Sequence, residues 1–419
     1  MKEACWYYVS RRRVRLGLSI VCAVMASTPL AGIAAPGDDA ARASLARVQA
    51  RRAEHPADGV LIYYEALLRI NLGERDAALA LLRSLKGRKL GLVPVRDFGF
   101  DAVWDDPRFQ ALREELATEE PRTPAAPVAF RLGEPKFIPE GIAFDSTGDR
   151  FFIGSIAQRK VIVVGGKGEA RDFSSSSDKL DPVLGLVVDP ARKYLYAVTT
   201  NGFEKSAERE RRNSVVRYDL KTGRLTNRFP APVAMQLNDL AIAPDGTFYV
   251  TDSMSGTLFR RKPGEDSLAP FGAKGALRGA NGIALGANGK LYVATSTGIA
   301  RVDRTTGEPT SVPQPDTVMT GGMDGLYWHE GDLIGVQNTT NPGRVVRIAL
   351  TEEGQRIDQL SVLQSSDHPD FDEPTTGAIA HGALHAIGNS YVGHYQPDGT
   401  ISDAADLKGT AIVAVPLRR

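Results

Sequence analysis

The chain has 419 residues, 42% of them hydrophobic and 24% charged, and its 51 basic and 50 acidic side chains leave a formal net charge of +1. That balance excludes a polytopic membrane protein and a surface built to grip nucleic acid, which needs clustered excess Lys and Arg. Two cysteines exclude a disulfide-dense scaffold.

Both cysteines, Cys5 and Cys22, fall in an N-terminal stretch with the three parts of a secretory signal. Arg11, Arg12, Arg13 and Arg15 form a basic region, Leu16 to Ala26 an apolar run, and Ala31 to Ala35 a small-residue cleavage site. As a helix the apolar run spans only about 16 Å, against ~30 Å for a bilayer core. Residues 1–35 therefore read as a removed signal, with an uncleaved anchor as the alternative and no transmembrane span once it is cut. They hold five basic residues and one acidic, so the remaining 384 carry −3 and no cysteine. The expected location is periplasmic or secreted.

Residues 36–120 read as a small helical domain. Val60, Tyr63, Tyr64, Leu67 and Leu68, then Ala77, Leu79, Leu81 and Leu82, recur at helical spacing on either side of Gly73. Leu61 to Gly73 followed by Asp76 to Ala80 resembles one tetratricopeptide unit. A second, aromatic helix pair is expected around Phe98, Phe100, Trp104, Phe109 and Leu112. Such units usually stack in threes, so the domain reads either as a docking site for a protein partner or as a helical cap. Pro121, Pro124 and Pro127 mark a linker over 121–127.

From residue 128 to 419 the period changes to two. Short strands at Phe151–Gly154, Tyr194–Ala197, Phe248–Thr251, Leu291–Ala294, Leu333–Val336 and Leu384–Ile387 each follow a turn and an earlier strand. The pairs that open the six units are Glu140-Gly141, Leu184-Gly185, Asn238-Asp239, Asn281-Gly282, Asp324-Gly325 and Thr376-Gly377. Their intervals of 44, 54, 43, 43 and 52 residues fit four-stranded blades. The fold class is thus mainly β: a six-bladed β-propeller behind a small N-terminal α-helical domain. Closure is expected between Val128–Arg131 and Ile412–Leu417. The charge run Glu204–Arg212 reads as a solvated hairpin tip, and Ser365–Pro374 as a surface loop.

In a propeller the opening positions ring the central channel, here as Glu140, Leu184, Asn238, Asn281, Asp324 and Thr376. Two carboxylates and two carboxamides in a closed ring are costly to leave unpaired. A hard divalent cation explains them, Ca²⁺ first, with Mg²⁺, Mn²⁺ or Zn²⁺ as alternatives. The competing explanation is that the Asn residues cap turns and the acids pair with Arg.

Residues 128–419 resemble the family of senescence marker protein 30, gluconolactonase and luciferin-regenerating enzyme, to which the paraoxonase-type lactonases are related. The resemblance rests on Pro139-Glu-Gly-Ile-Ala-Phe144, Leu237-Asn-Asp-Leu-Ala-Ile-Ala-Pro-Asp-Gly246, Ala280-Asn-Gly-Ile-Ala-Leu285 and Met323-Asp-Gly-Leu-Tyr-Trp328. It implies Glu140, Asn281 and Asp324 as metal ligands, and Asn238 as a substrate contact that also reaches the metal. Gln236 stands where sugar-lactone hydrolases of the family often place an Arg on the substrate, and Gly325 where paraoxonase-type enzymes place a further Asn. No His lies between His55 and His329, so the paraoxonase histidine pair has no counterpart.

The chemistry expected of this ring is hydrolysis of a lactone or ester, with a small-molecule substrate, Asp324 as the base and Glu140 as a purely electrostatic ligand. A non-catalytic binding or scaffolding propeller with a structural cation is the alternative. Phosphotriester hydrolysis and a strictosidine-synthase-like condensation are minor ones. His381 and His385, four apart on one expected strand face, lack a third zinc ligand and read as structural. His329 is expected in the core or at the rim. Gly165 to Gly168 reads as a hairpin turn and Ser174 to Ser177 as a loop; no Ser/His/Asp grouping is recognisable.

Overall fold

Blade by blade, six four-stranded antiparallel sheets account for all the strands among the described residues of the computed structural model. It describes residues 38–96, 99–165, 168–338, 342–404 and 406–418. The expected signal over residues 1–35, with both cysteines, and Phe98 lie outside the described residues.

Two units divide the chain, the first running to Pro121 and including Gln314–Gly321 and Thr339–Pro342, the second holding the remainder. The first contains α1 (Asp38–Glu54), α2 (Gly59–Asn71), α3 (Arg75–Arg83) and α4 (Pro107–Thr118). Asp58 caps α2 by accepting from the N–H groups of Val60 and Leu61, and Gly73, at φ 80°, turns the chain into α3. Tyr63, Leu67, Leu79, Leu82, Phe100 and Phe109 form its core, joined by Met319 from the included segment. Glu65 is buried there against Arg52, Arg69 and Gln49. The expected aromatic helix pair is a single helix. Phe100 and Trp104 flank one 3₁₀ turn at Asp101–Val103, and only α4, capped by Asp106 with Pro107 at its first position, is α-helical. Among the described residues no helix is long and apolar enough to cross a membrane.

In the second unit the blades are β2–β5 (Pro139–Asp145, Arg150–Ser155, Lys160–Gly165, Ala170–Asp172), β6–β9 (Val183–Asp189, Tyr194–Thr200, Asn213–Asp219, Leu225–Pro230) and β10–β13 (Leu237–Ile242, Phe248–Asp252, Thr257–Arg261, Ala269–Phe271). They continue as β14–β17 (Ile283–Leu285, Leu291–Thr295, Gly298–Val302, Pro309–Ser311) and β18–β21 (Met323–His329, Asp332–Gln337, Arg344–Thr351, Arg356–Gln364). The sixth blade combines β22 (Gly377–Ala380), β23 (Ala383–Ile387) and β24 (Ala411–Pro416) with β1 (Val128–Arg131) from the start of the unit. Val128 pairs with Val413 and Phe130 with Ile412, so the ring closes where the sequence pattern expected it. Apolar layers fill the spaces between blades. Phe152, Val161 and Val163 meet Leu195 and Val216; Tyr196, Val198 and Phe229 meet Leu240, Phe248 and Phe259.

Two loops differ from expectation. Glu204, in the charge run, is buried and accepts from Arg159 and the Tyr395 hydroxyl, while Arg212 pairs with Asp181 at 2.8 Å. In 365–374, Ser365 and His368 are buried; His368 Nε2 lies 2.8 Å from the Ala126 carbonyl and Ser365 bonds Thr123. In both cases long-range partners draw polar groups into the interior.

Candidate functional site

Each inner strand begins at one end of the channel, and four of them begin with a break in register. The irregularities fall between Pro139 and Ile142, Val183 and Leu186, Leu237 and Leu240, and Met323 and Leu326. The bulged residues are Glu140-Gly141, Leu184-Gly185, Asn238-Asp239 and Asp324-Gly325. A bulge frees a residue from strict alternation and re-aims its side chain, here at the same level of successive blades.

At Gly141, Gly185 and Gly282 the glycine after the ring residue lets the next blade approach. A Cβ on Gly141 would collide with the Leu184 carbonyl, and one on Gly282 with the Asp324 carbonyl. Asp239 is the exception: it stands where the other five units have glycine. Its carboxylate accepts from Leu240 N at 2.8 Å and from Ile283 N at 3.3 Å, tying the third blade to the fourth. Thr251 reinforces this seam by donating to the Asn281 carbonyl at 2.8 Å, and Thr376 donates to the Glu140 carbonyl across the sixth and first blades. Ile138, a β-branched residue at φ 47°, precedes Pro139 and Glu140, which is strained backbone beside the ring.

Glu140 is 7% exposed, Asn238 8% and Asp324 6%, so these polar side chains have little water. Burial, then the charge of Asp324, pushes the Glu140 carboxyl well above its usual range, against the Ser390 hydroxyl, which donates to it at 3.3 Å. Burial pushes Asp324 up to about 6, while the Asn338 and Asn281 carboxamides draw it back down. Asp239 rises to about 7 through burial, held back by its two backbone donors. Tyr327, whose hydroxyl accepts from Gly377 N at 2.6 Å, is driven up by burial and by the charges of Asp239, Asp324 and Glu140.

Of the ring residues expected to act, Asp324 lies near enough to Glu140 to raise its carboxyl, and Asn281 lies near enough to Asp324 to lower that of Asp324. Asn238 occupies the matching bulge of the third blade and commits its Nδ2 to Ser253 Oγ at 2.8 Å, leaving Oδ1 as its other end. Gln236 is half-buried in the loop just before, where its N–H donates to Asp252. Asn338, at the end of β19, was not found from sequence. It donates to Asp324 Oδ2 at 2.8 Å and to the Pro374 carbonyl at 2.7 Å. Ser390 and Thr375 also face Glu140 without a sequence signal. His329 lies at the far end of β18 from Asp324, beside Glu330. His381 sits in the β22–β23 turn at φ 51° and bonds Asp149 at 3.0 Å, so it is not on a strand face with His385, which packs on Phe151.

Among the described residues no three carboxylate, imidazole or thiol side chains converge on one point. A cation would need the carboxamides as well. The donor chemistry fits one: the Oδ1 atoms of Asn281, Asp324 and Asn338 are all buried without a hydrogen-bond partner, beside the buried Glu140. Orphaned oxygens of this kind call for a compensating positive charge.

Fold and ring together define a six-bladed propeller whose channel mouth carries two carboxylates among carboxamides. No family model matches the chain, and no curated protein matches it in sequence. Among solved structures it is similar to the major allergen Mala s 1 of Malassezia sympodialis, with TM-score 0.51 and 15% identity over 68% of this chain and 95% of that one. It is also similar to the PQQ-bound aldose sugar dehydrogenase of Streptomyces coelicolor (TM-score 0.49, 15% identity, 70% of this chain and 99% of that one). A gluconolactonase from Xanthomonas campestris gives TM-score 0.45 and 15% identity over the same shares. At such identities the likeness is one of fold, and one fold hosts many chemistries.

Proposed function

We propose that the protein is a divalent-cation-dependent hydrolase of a lactone or ester, gluconolactonase-like in its chemistry, working in the periplasm or outside the cell. The observation that carries this reading is the group of buried, unpartnered oxygens on Asn281, Asp324 and Asn338 beside Glu140. Glu140, Asn238, Asn281 and Asp324 would hold the ion, Ca²⁺ first and Mg²⁺, Mn²⁺ or Zn²⁺ as competitors. When bound, the cation neutralises the carboxylates and polarises a carbonyl oxygen.

The chain's own groups divide the remaining work. Asn338 holds Asp324 Oδ2; Asp324 would hold the ion through one of its oxygens and take a proton from the attacking water through the other. Burial already raises this carboxyl toward neutrality, which suits a general base. Water adds to the carbonyl carbon, the ester C–O bond breaks, and the proton ends on the leaving alkoxide, giving a hydroxy acid. Asn238, anchored through Ser253, positions the substrate together with Gln236. Glu140 stays anionic and supplies charge only.

The test is a panel of lactones and aryl esters assayed with Ca²⁺ and after chelation. Hydrolysis that the chelator abolishes and Asp324→Ala removes in a folded protein is expected. Cation binding without turnover across the panel would overturn the hydrolase reading in favour of a non-catalytic binding or scaffolding module.

A further inference from the structure

The ten extra residues that lengthen the second of the six repeats form a fixed platform on the face of the propeller where the inner strands begin. Glu204 is tied to Arg159, Ser206 and Tyr395, and Lys205 N donates to the Pro397 carbonyl at 2.7 Å. Asn201 bonds Ser206, the Glu210 carbonyl and Arg212 N, and Arg212 grips Asp181 through two nitrogens. Within this platform Arg211 is half-buried, and its one hydrogen bond among the described residues is from Nη1 to the Met235 carbonyl at 2.8 Å. It has no carboxylate partner there. The Asp252 carboxylate under the same loop is taken up by the backbone N–H groups of Met235, Gln236, Met254 and Ser255. Gly202 lets the platform press directly on Met235 and Gln236, where a Cβ would not fit. Arg211 is thereby held next to the segment that leads into Asn238.

A guanidinium has five N–H donors in a rigid fork suited to a carboxylate, and it remains charged at every relevant pH. With one backbone hydrogen bond and no ion pair among the described residues, Arg211 keeps N–H donors of its fork free for an anion. Resting on the hydrolase reading above, we infer that Arg211 is a specificity-determining residue that binds a carboxylate of the substrate, so that the preferred lactone or ester bears a second, anionic group. With two carboxylates neutralised by a divalent ion at the ring, Arg211 would supply a positive charge held against the segment that leads into Asn238.

Gluconolactone and glucarolactone, which differ by one carboxylate, test this. The Ca²⁺-loaded wild type is expected to show the higher kcat/KM for glucarolactone. Arg211→Met should reduce that preference about 10- to 100-fold, chiefly through KM, with Arg211→Lys in between because it restores charge without the fork. No wild-type preference, or a preference that survives Arg211→Met, overturns the inference. Calorimetry with glucarate separates the two readings. If neither lactone is hydrolysed but glucarate binds the wild type and not a folded Arg211→Met, the carboxylate site stands and the hydrolase reading falls. If glucarate binds both proteins equally, the inference is overturned whatever the turnover.

Discussion

Asn338 Nδ2 donates to Asp324 Oδ2 at 2.8 Å, while Asp324 Oδ1 is buried with no partner at all. The two oxygens of one carboxylate are thus assigned different tasks by a residue at the end of the neighbouring strand. Replacing Asn338 with Ala should let Asp324 rotate and should weaken Ca²⁺ binding or turnover by about 10- to 100-fold, the usual effect of removing a group that orients a ligand. Calorimetric Ca²⁺ titration beside the lactone assay measures both, and unchanged affinity and rate would refute the assignment.

The ring carboxyls set a pH dependence whose sign is fixed. Asp324 and Asp239 have folded-state values of about 6 and about 7 against an ordinary 3.8, so both favour the protonated folded state. Their contribution to stability is fully present below about pH 4 and is lost as pH rises through 6 to 7; for Asp324 alone this is roughly 3 kcal/mol. The cation-free protein should therefore lose melting temperature between about pH 4 and 7 through these groups. Saturating Ca²⁺ should reverse that trend by stabilising the ionised ring, with a shift that grows with pH. Thermal scans with and without chelator at several pH values provide the check.

Glu140→Gln should separate stability from function. The variant removes a carboxyl whose ionised form is opposed by burial and by the charge of Asp324, so the metal-free protein should melt higher than wild type at pH 8. The same variant should lose most of the Ca²⁺-induced rise in melting temperature. A variant that melts lower than wild type without metal would show that Glu140 is held by protein contacts instead.

Gly141→Ala and Gly282→Ala probe the seams between blades. In each the added Cβ meets a backbone carbonyl of the next inner strand, which cannot swing aside as a side chain can. A loss of about 1–3 kcal/mol or more is expected, with weaker Ca²⁺ binding. Gly165→Ala, where nothing lies within reach of the new methyl, is the control and should melt within a few degrees of wild type.

In the helical unit, Glu65 is 3% exposed and bonded to Arg52, Arg69 and Gln49. Burial alone would raise its carboxyl, but the Arg69 and Arg52 bonds hold it below the ordinary value. Glu65→Ala takes the shared acceptor from Arg52 and Arg69, of which Arg69 keeps Glu74, and should cost ~1–3 kcal/mol within that unit. Amide exchange should quicken in residues 38–118 and leave the blades protected.

The blades were readable because their opening pairs repeat at nearly constant intervals and their second strands alternate cleanly. Closure by β1 and β24 followed from the same count. What stayed hidden depends on partners far along the chain. Glu204 looked solvated within its charge run, yet its hydroxyl partner Tyr395 lies 191 residues away. Asn338, Ser390 and Thr375 occupy strand ends and loops with no repeated motif around them, so their approach to the ring cannot be read from local pattern. Asp239 did leave a trace, as the one acid in a column of glycines. The position of His381 was lost to turn geometry: with Gly382 it makes a hairpin reversal that strand alternation does not reveal.

The sixth blade has a consequence for biosynthesis. Of the described strands, Ala411–Pro416, which zips β23 to β1, leaves the ribosome after all the others, and Thr376 and Ser390, which contact Glu140, precede it only narrowly. Glu140 is therefore translated early and must wait for more than two hundred residues before its final neighbours exist. Until then the nascent chain has an open edge at both ends of its sheet array and no complete ring of oxygens to offer an ion.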